Sequence, residues 1–276
     1  MMGKPLPTRD ASVRRKRLNA IASYGPPTAL VLALLVLWQL AVHLWDVEPW
    51  LLPSPTAIVH AGWEARALIA EHMLQTGLET LLGFALALAT GVGLALALDS
   101  SPVVRRAIYP LMVASQTVPI IAIAPLLIIW FGYGIWPKVL VVALVCFFPI
   151  VVSTADGLRS ADRDLIALVR TMGASSKQVF AKVRWPGAVP GLFSGIKIGI
   201  TYSVVGAIIG EWVGASRGLG VFMLRATNAF RTDWVFASIF VVALLSWVLF
   251  ACVQLVERLT LRWYYAVRPE RWEELA

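Results

Sequence analysis

Six long runs of apolar residues, at positions 26–44, 78–98, 107–131, 139–155, 189–213 and 234–256, alternate with shorter polar segments. About 20 apolar residues carry a helix across a hydrocarbon core about 30 Å thick, so each run predicts one membrane span. Backbone groups in lipid must be satisfied within the segment, which makes the expected fold an all-α integral membrane protein of six transmembrane helices. The second run places Gly83, Ala87, Gly91 and Ala95 at a spacing of four, a smooth face for close helix packing. The fifth carries Gly191, Gly195, Gly199, Ser203, Gly206, Gly210 and Gly214 at steps of four or three, a ridge that invites another helix or the same helix of a second copy.

The third run is interrupted by Ser115-Gln116-Thr117-Val118-Pro119 and by Pro125. Such breaks are tolerated in a membrane where neighbours or a watery cavity satisfy the freed backbone groups, so the segment reads either as a kinked packing helix or as a pathway-lining one. Gln116, Thr117, Ser153, Tyr202, Ser203 and Glu211 are polar positions within or at the ends of spans, and are the candidate pathway residues. Lys197 and Glu211 lie about 21 Å apart along a helix and cannot pair with each other. Each is read either as a rim group, Lys197 snorkelling and Glu211 solvated, or as a gate.

The polar stretch between the fourth and fifth runs has its own shape. It predicts a helix over 164–172, a break at Gly173, and a second helix over 175–183 ended by Trp185-Pro186. Arg163, Arg170, Lys177, Lys182 and Arg184 make it basic.

Composition agrees with the pattern: 59% hydrophobic and 14% charged residues over 276 positions exclude a soluble domain of this length. A net charge of +8 would suggest nucleic acid in a soluble chain, whereas here its distribution orients the spans and no nucleic-acid partner is expected. Segments 1–25, 99–106, 156–188 and 257–276 hold 18 of the 24 Lys and Arg, and the opposite side holds 5. The positive-inside rule then puts both termini in the cytoplasm. The expected organisation is a basic N-terminal segment (1–25), a six-helix membrane domain (26–256) with a cytoplasmic loop at 156–188, and a cytoplasmic tail (257–276). Arg14-Arg15-Lys16-Arg17 before the first run imitates a signal peptide, but the run is long and no small-residue cleavage pattern follows, so it is read as a retained span. In the outer segment, Leu52-Pro53-Ser54-Pro55 is stiff and extended, and Trp50 and Trp63 suit interface anchoring.

Reaction chemistry is missing. Cys146 and Cys252 sit in apolar runs without metal spacing, and His43, His60 and His72 lack partner ligands, so neither a metal nor another cofactor is expected. The lone Gly-Lys pair, Gly3-Lys4, precedes proline and cannot open a phosphate-binding loop. No histidine follows His72 to serve a nucleophilic serine, and no HExxH helix exists, so an enzyme is not expected. A transporter of this design takes its energy from a partner protein or from an ion gradient. The chain shows no internal repeat and few mid-span acids, which favours the partner and leaves a gradient-driven carrier or channel as the alternative.

Leu168-Val169-Arg170-Thr171-Met172-Gly173-Ala174-Ser175, then Gln178-Val179-Phe180, Lys182-Val183-Arg184-Trp185-Pro186 and Gly195-Ile196-Lys197, resembles the EAA loop of binding-protein-dependent ABC importer permeases. Gly173 and Pro186 keep the register of that pattern, while its Glu-Ala-Ala positions read Ala167-Leu168-Val169. Leu51-Leu52-Pro53-Ser54-Pro55, Trp130-Phe131-Gly132-Tyr133-Gly134 and Gly210-Glu211-Trp212-Val213-Gly214 with Gly218-Leu219-Gly220 resemble the nitrate, sulfonate, taurine and thiamine-precursor branch. Pro137-Lys138-Val139 and Phe147-Phe148-Pro149-Ile150 look closest to members for a pyrimidine thiamine precursor or riboflavin.

The resemblance implies a type I (MetI-like) permease in a bacterial inner membrane. Its implied partners are two cytoplasmic ATPase subunits, a second permease subunit that pairs as a homodimer, and an extracytoplasmic solute-binding protein. It also implies that Asp164, Leu165, Leu168, Arg170, Thr171, Met172, Gly173, Ala174, Ser175, Lys177 and Pro186 couple the chain to the ATPase.

Overall fold

The computed structural model describes residues 9–267, with side chains from 25 to 266. The basic cluster at 14–17 falls outside the described side chains, and the end of the tail, 268–276, falls outside the described residues. Among the described residues every regular element is helical. The chain runs α1 (Arg9–Leu44), α2 (Pro55–Glu64), α3 (Arg66–Ser100), α4 (Pro102–Ser115), α5 (Ile120–Phe131), α6 (Ile135–Arg159), α7 (Arg163–Thr171), α8 (Ser176–Val179), α9 (Trp185–Gly214), α10 (Leu219–Asn228), α11 (Thr232–Thr260) and α12 (Arg262–Val267).

Five single helices are long and apolar enough to cross a membrane: α1 from Gly25, α3, α6, α9 with α8 in front of it, and α11. The pair α4 and α5, bent by 101° across the break at residues 116–119, is apolar and long enough together to make a sixth candidate span. One straight helix over 107–131 is therefore not what forms. Pro119 lacks an N–H and sets extended backbone (φ −61°, ψ 124°), so the helix stops at Ser115 and restarts at Ile120. At the other end of α5, Gly132 at φ 74° supplies the left-handed turn into α6.

α6 is the centre of the bundle, with α3 on one side and α9 on the other. Both faces close on small residues. A Cβ on Gly91 of α3 would lie 2.9 Å from the Ile150 side chain. On α9, a Cβ on Gly191 would lie 2.8 Å from the Ser153 carbonyl oxygen, one on Gly195 2.6 Å from that of Pro149, and one on Gly210 3.1 Å from the Lys138 Cα. Gly199 and Gly206 face Cys146 and Val142 of the same helix, and Gly214 faces Ile128 and Tyr133. The glycine ridge of α9 is thus packed within the chain, against α6 along most of its length and against Ile128 of α5 and Tyr133 at Gly214. Bare glycines let the two backbones meet, which is what packs membrane helices where lipid is as apolar as leucine.

Polar pairs fix the same helices at both ends. At the end near α7 and α8, Arg184 Nη2 donates to Asp99 Oδ1 at 2.7 Å and to the Leu158 carbonyl at 3.3 Å, joining α9 to α3 and α6. Lys197 does not snorkel: its ammonium lies 2.9 Å from Glu257 of α11. At the far end, Lys138 of α6 lies 3.5 Å from Glu79 of α3, which also accepts from Gln75 at 2.8 Å.

α10 sits over that far end, and its start explains Glu211. Gly218, at φ 129°, is the N-cap and has no side chain to cap with. The first three N–H groups are met by other helices instead: Gly218 donates to His72 Nδ1 at 2.9 Å, Leu219 to Thr76 Oγ1 at 2.8 Å, and Gly220 to Glu211 Oε2 at 2.6 Å. Thr76 in turn donates to Glu211 Oε1 at 2.6 Å. A carboxylate at the N-terminus of a helix is stabilised by the helix dipole. Glu211 is accordingly buried rather than solvated at a rim, and His72 is a structural acceptor. The Ile58, Ile69, Leu219 and Phe222 side chains close an apolar core beneath this cap.

Candidate functional site

Two places leave the packed bundle with chemistry unspent: the break between α4 and α5, and the segment from α7 to the start of α9.

The break opens a cavity of about 690 Å³ between α4, α5, α6 and α9. Of the candidate pathway residues, Gln116, Ser153 and Tyr202 line it, joined by Ser115. Thr117 lies in the break and spends its hydroxyl on the Ala114 carbonyl at 2.8 Å. Ser203 is fully buried and bonded to Ile200 of its own helix at 2.6 Å, and Glu211 caps α10, so neither lines the cavity. Phe147, Phe148 and Pro149 supply the apolar wall from α6, a role that nothing in their sequence context signals. Their exposure follows from the bend: once the chain turns by 101°, α5 no longer covers that face of α6.

The segment around Gly173 is built by local rules. Asp162 caps α7, accepting from the N–H groups of Asp164 at 2.8 Å and Leu165 at 3.3 Å. Gly173 takes φ 87°, which turns the chain, and its N–H closes on the Arg170 carbonyl at 2.9 Å. Ser175 and Gln178 then form a reciprocal capping box that starts α8.

The second helix does not end at Pro186. α8 passes through a π-turn, Phe180–Arg184, straight into α9, and Pro186 occupies the first turn of α9. The wide π-turn leaves room for a residue that has no N–H to give to the turn before it.

α7 buries no residue against the rest of the chain. Leu165 and Leu168 of α7 and Met172 at its C-cap lie at helical spacing and are 45%, 57% and 78% exposed, while Ile166 and Val169 are half-buried. Arg170 and Lys177 are exposed as well, and the Thr171 hydroxyl donates to the Leu168 carbonyl at 2.7 Å. The segment is anchored at its far end, where Val179 is buried and Arg184 donates to Asp99 and to the Leu158 carbonyl. Alanine at Arg184 or at Asp99 is expected to lower thermal stability, and a double-mutant cycle to show coupling of about 1 kcal/mol or more. Strictly additive losses would mean that the pair does not hold this segment to α3.

Residues 88–263, from the middle of α3 to the start of α12, match the family described as "Binding-protein-dependent transport system inner membrane component". The chain belongs to this family. Among its relatives, the formylaminopyrimidine transport permease protein ThiX of Halalkalibacterium halodurans is 41% identical over 238 residues, covering 86% of this chain and 95% of the relative. The riboflavin transport system permease protein RibX of Chloroflexus aurantiacus is 36% identical over 266 residues, with 95% and 99% covered. The taurine transport system permease protein TauC of Escherichia coli is 29% identical over 242 residues, with 85% and 88% covered. Among solved structures, a MetNI methionine ABC transporter chain superposes with a TM-score of 0.56 at 19% identity, over 70% of this chain and 98% of that one, a likeness of fold. The protein is a multi-pass inner-membrane ABC importer permease and not an enzyme, and importers of this family work with ATPase and binding-protein partners.

Proposed function

We propose that the chain forms the solute pathway of its importer and couples ATP hydrolysis by a separate ATPase to uptake of a small organic solute. The observation that carries this is α7: an exposed apolar stripe, Leu165, Leu168 and Met172, on a short helix that touches little of its own chain but is wired to the bundle through Arg184. A stripe of this kind fits a groove on another protein, as amphipathic helices do elsewhere. Asp164, Leu165, Leu168, Arg170, Thr171, Met172, Gly173, Ala174, Ser175 and Lys177 then form the docking surface, and Pro186 the joint through which its movement enters α9.

The excess of basic residues supports a cytoplasmic position for this surface, both termini, the segment 1–25 and the tail 257–276, on one side of the membrane domain at 26–256. Two ATPase subunits bind there, a solute-binding protein delivers solute at the α10 end, and a second copy of the permease completes the pathway. With the α9 ridge occupied, the homodimer meets through another surface. The identities of the relatives favour a pyrimidine thiamine precursor or a riboflavin-like solute over an aliphatic sulfonate, taurine or nitrate.

Valine at Gly173 tests the coupling. No L-residue sits easily at φ 87°, and the strain of about 1–3 kcal/mol falls on an exposed turn rather than on the bundle. Membrane insertion is expected to be normal while ATP is hydrolysed with little solute uptake in proteoliposomes; wild-type uptake per ATP would refute the assignment.

A further inference from the structure

The cavity at the α4–α5 break has a composition that distinguishes between the solutes just named. Among the described residues, none that lines it is Lys, Arg, His, Asp or Glu. Its polar groups are Ser115, Gln116, Ser153 and the phenol of Tyr202, set among Phe147, Phe148 and aliphatic side chains.

The capacity of these groups for hydrogen bonds is largely free. Ser115 spends its hydroxyl proton on the Met112 carbonyl at 2.7 Å. Gln116 makes one long contact, 3.4 Å to Ser115, which leaves its carbonyl oxygen and an N–H open. Among the described residues, the Ser153 and Tyr202 hydroxyls have no hydrogen-bond partner. A primary amide and two hydroxyls lining one cavity together with two phenylalanine rings match the chemistry of the edge and faces of a planar heterocycle. Its volume of about 690 Å³ falls within the range of small-ligand sites.

An organic anion meets a different balance. It would have to leave water for a wall without a cation, and one helix end, that of α5 at Ile120, supplies at most a fraction of a charge against that cost. The same helix end suits a carbonyl oxygen, whose partial charge requires far less desolvation.

We propose that this cavity is a solute filter belonging to the permease itself, which accepts an uncharged, planar nitrogen heterocycle and disfavours organic anions, with the Gln116 amide reading the donor and acceptor edge of the ring. The delivery protein then is the first of two selections. The proposal rests on the chain being an importer permease, and its test is separable from that reading.

The permease–ATPase complex, purified without the binding protein, is titrated with formylaminopyrimidine and with ethanesulfonate. The heterocycle is expected to bind and ethanesulfonate to bind at least about tenfold more weakly. Gln116→Leu, which removes the amide from an exposed position, is expected to weaken the heterocycle about five- to tenfold, and Gln116→Asn to recover part of the loss. Gln116→Arg is expected to reverse the preference toward ethanesulfonate. Equal affinity for the two probes, no binding of either, or an unchanged affinity in Gln116→Leu would overturn the filter. Retained ATPase co-purification in these variants would show that the importer reading stands whatever the filter does.

Discussion

Glu79→Ala is expected to destabilise the bundle by about 3–5 kcal/mol, because it leaves the Lys138 ammonium buried between α3 and α6 without its counter-charge. The pair is an ion pair within the packed helices rather than a surface decoration. Glu79 is completely buried and also receives the Gln75 amide, so alanine strands two donors at once. The double variant Glu79→Leu with Lys138→Met removes both charges and keeps the volume, and is expected to recover most of the stability. Thermal unfolding of the detergent-purified permease complex measures both. A single variant as stable as the parent would show that Lys138 finds water instead.

Gly195→Leu is the second large effect, and it acts through shape. Its Cβ alone would stand 2.6 Å from the Pro149 carbonyl oxygen and 3.0 Å from the Ile150 Cα, contacts to backbone that no rotamer can relieve. α9 must then lift off α6, and overpacking of this kind costs about 1–3 kcal/mol or more. Loss of folded protein after extraction is the expected outcome. Gly93→Ala provides the contrast, since nothing lies within 4 Å of a Cβ there, and it is expected to stabilise α3 by roughly 0.5–1 kcal/mol. Equal yields of the two variants would remove the ridge from the list of what holds the fold together.

Much of this architecture is written in spacing. The apolar runs mark the spans because length and hydropathy act locally, and the steps of four in α3 and α9 mark two packing faces for the same reason. Their common partner is not legible in this way. α6 carries a single glycine, Gly157 against Ala188 of α9, and elsewhere its carbonyls and Val142, Cys146 and Ile150 receive glycines from both sides.

Long-range polar pairing is equally hidden. Glu211 and Lys197 look like lone charges in the sequence because their partners, Thr76 and Gly220 for one and Glu257 for the other, are brought in only by the fold. At the candidate sites, Gly173 and the turn around it can be read from residue preference alone. The gathering of Gln116, Ser153 and Tyr202 cannot, since it depends on the 101° bend that Pro119 causes. Pro186 misleads in the opposite direction, because a π-turn absorbs the conflict that normally ends a helix.

That π-turn has a mechanical consequence. Since α8 enters α9 without a hinge and Arg184 ties the joint to α3 and α6, these helices respond as a lever arm and not as separate rods. α9 is about 45 Å long, so a tilt of only about 5° at the Gly173 end moves the α10 end by about 4 Å. A displacement of that size is comparable to the width of a water molecule or the thickness of an aromatic ring, so a small rotation at one surface is enough to open or shut a narrow passage at the other.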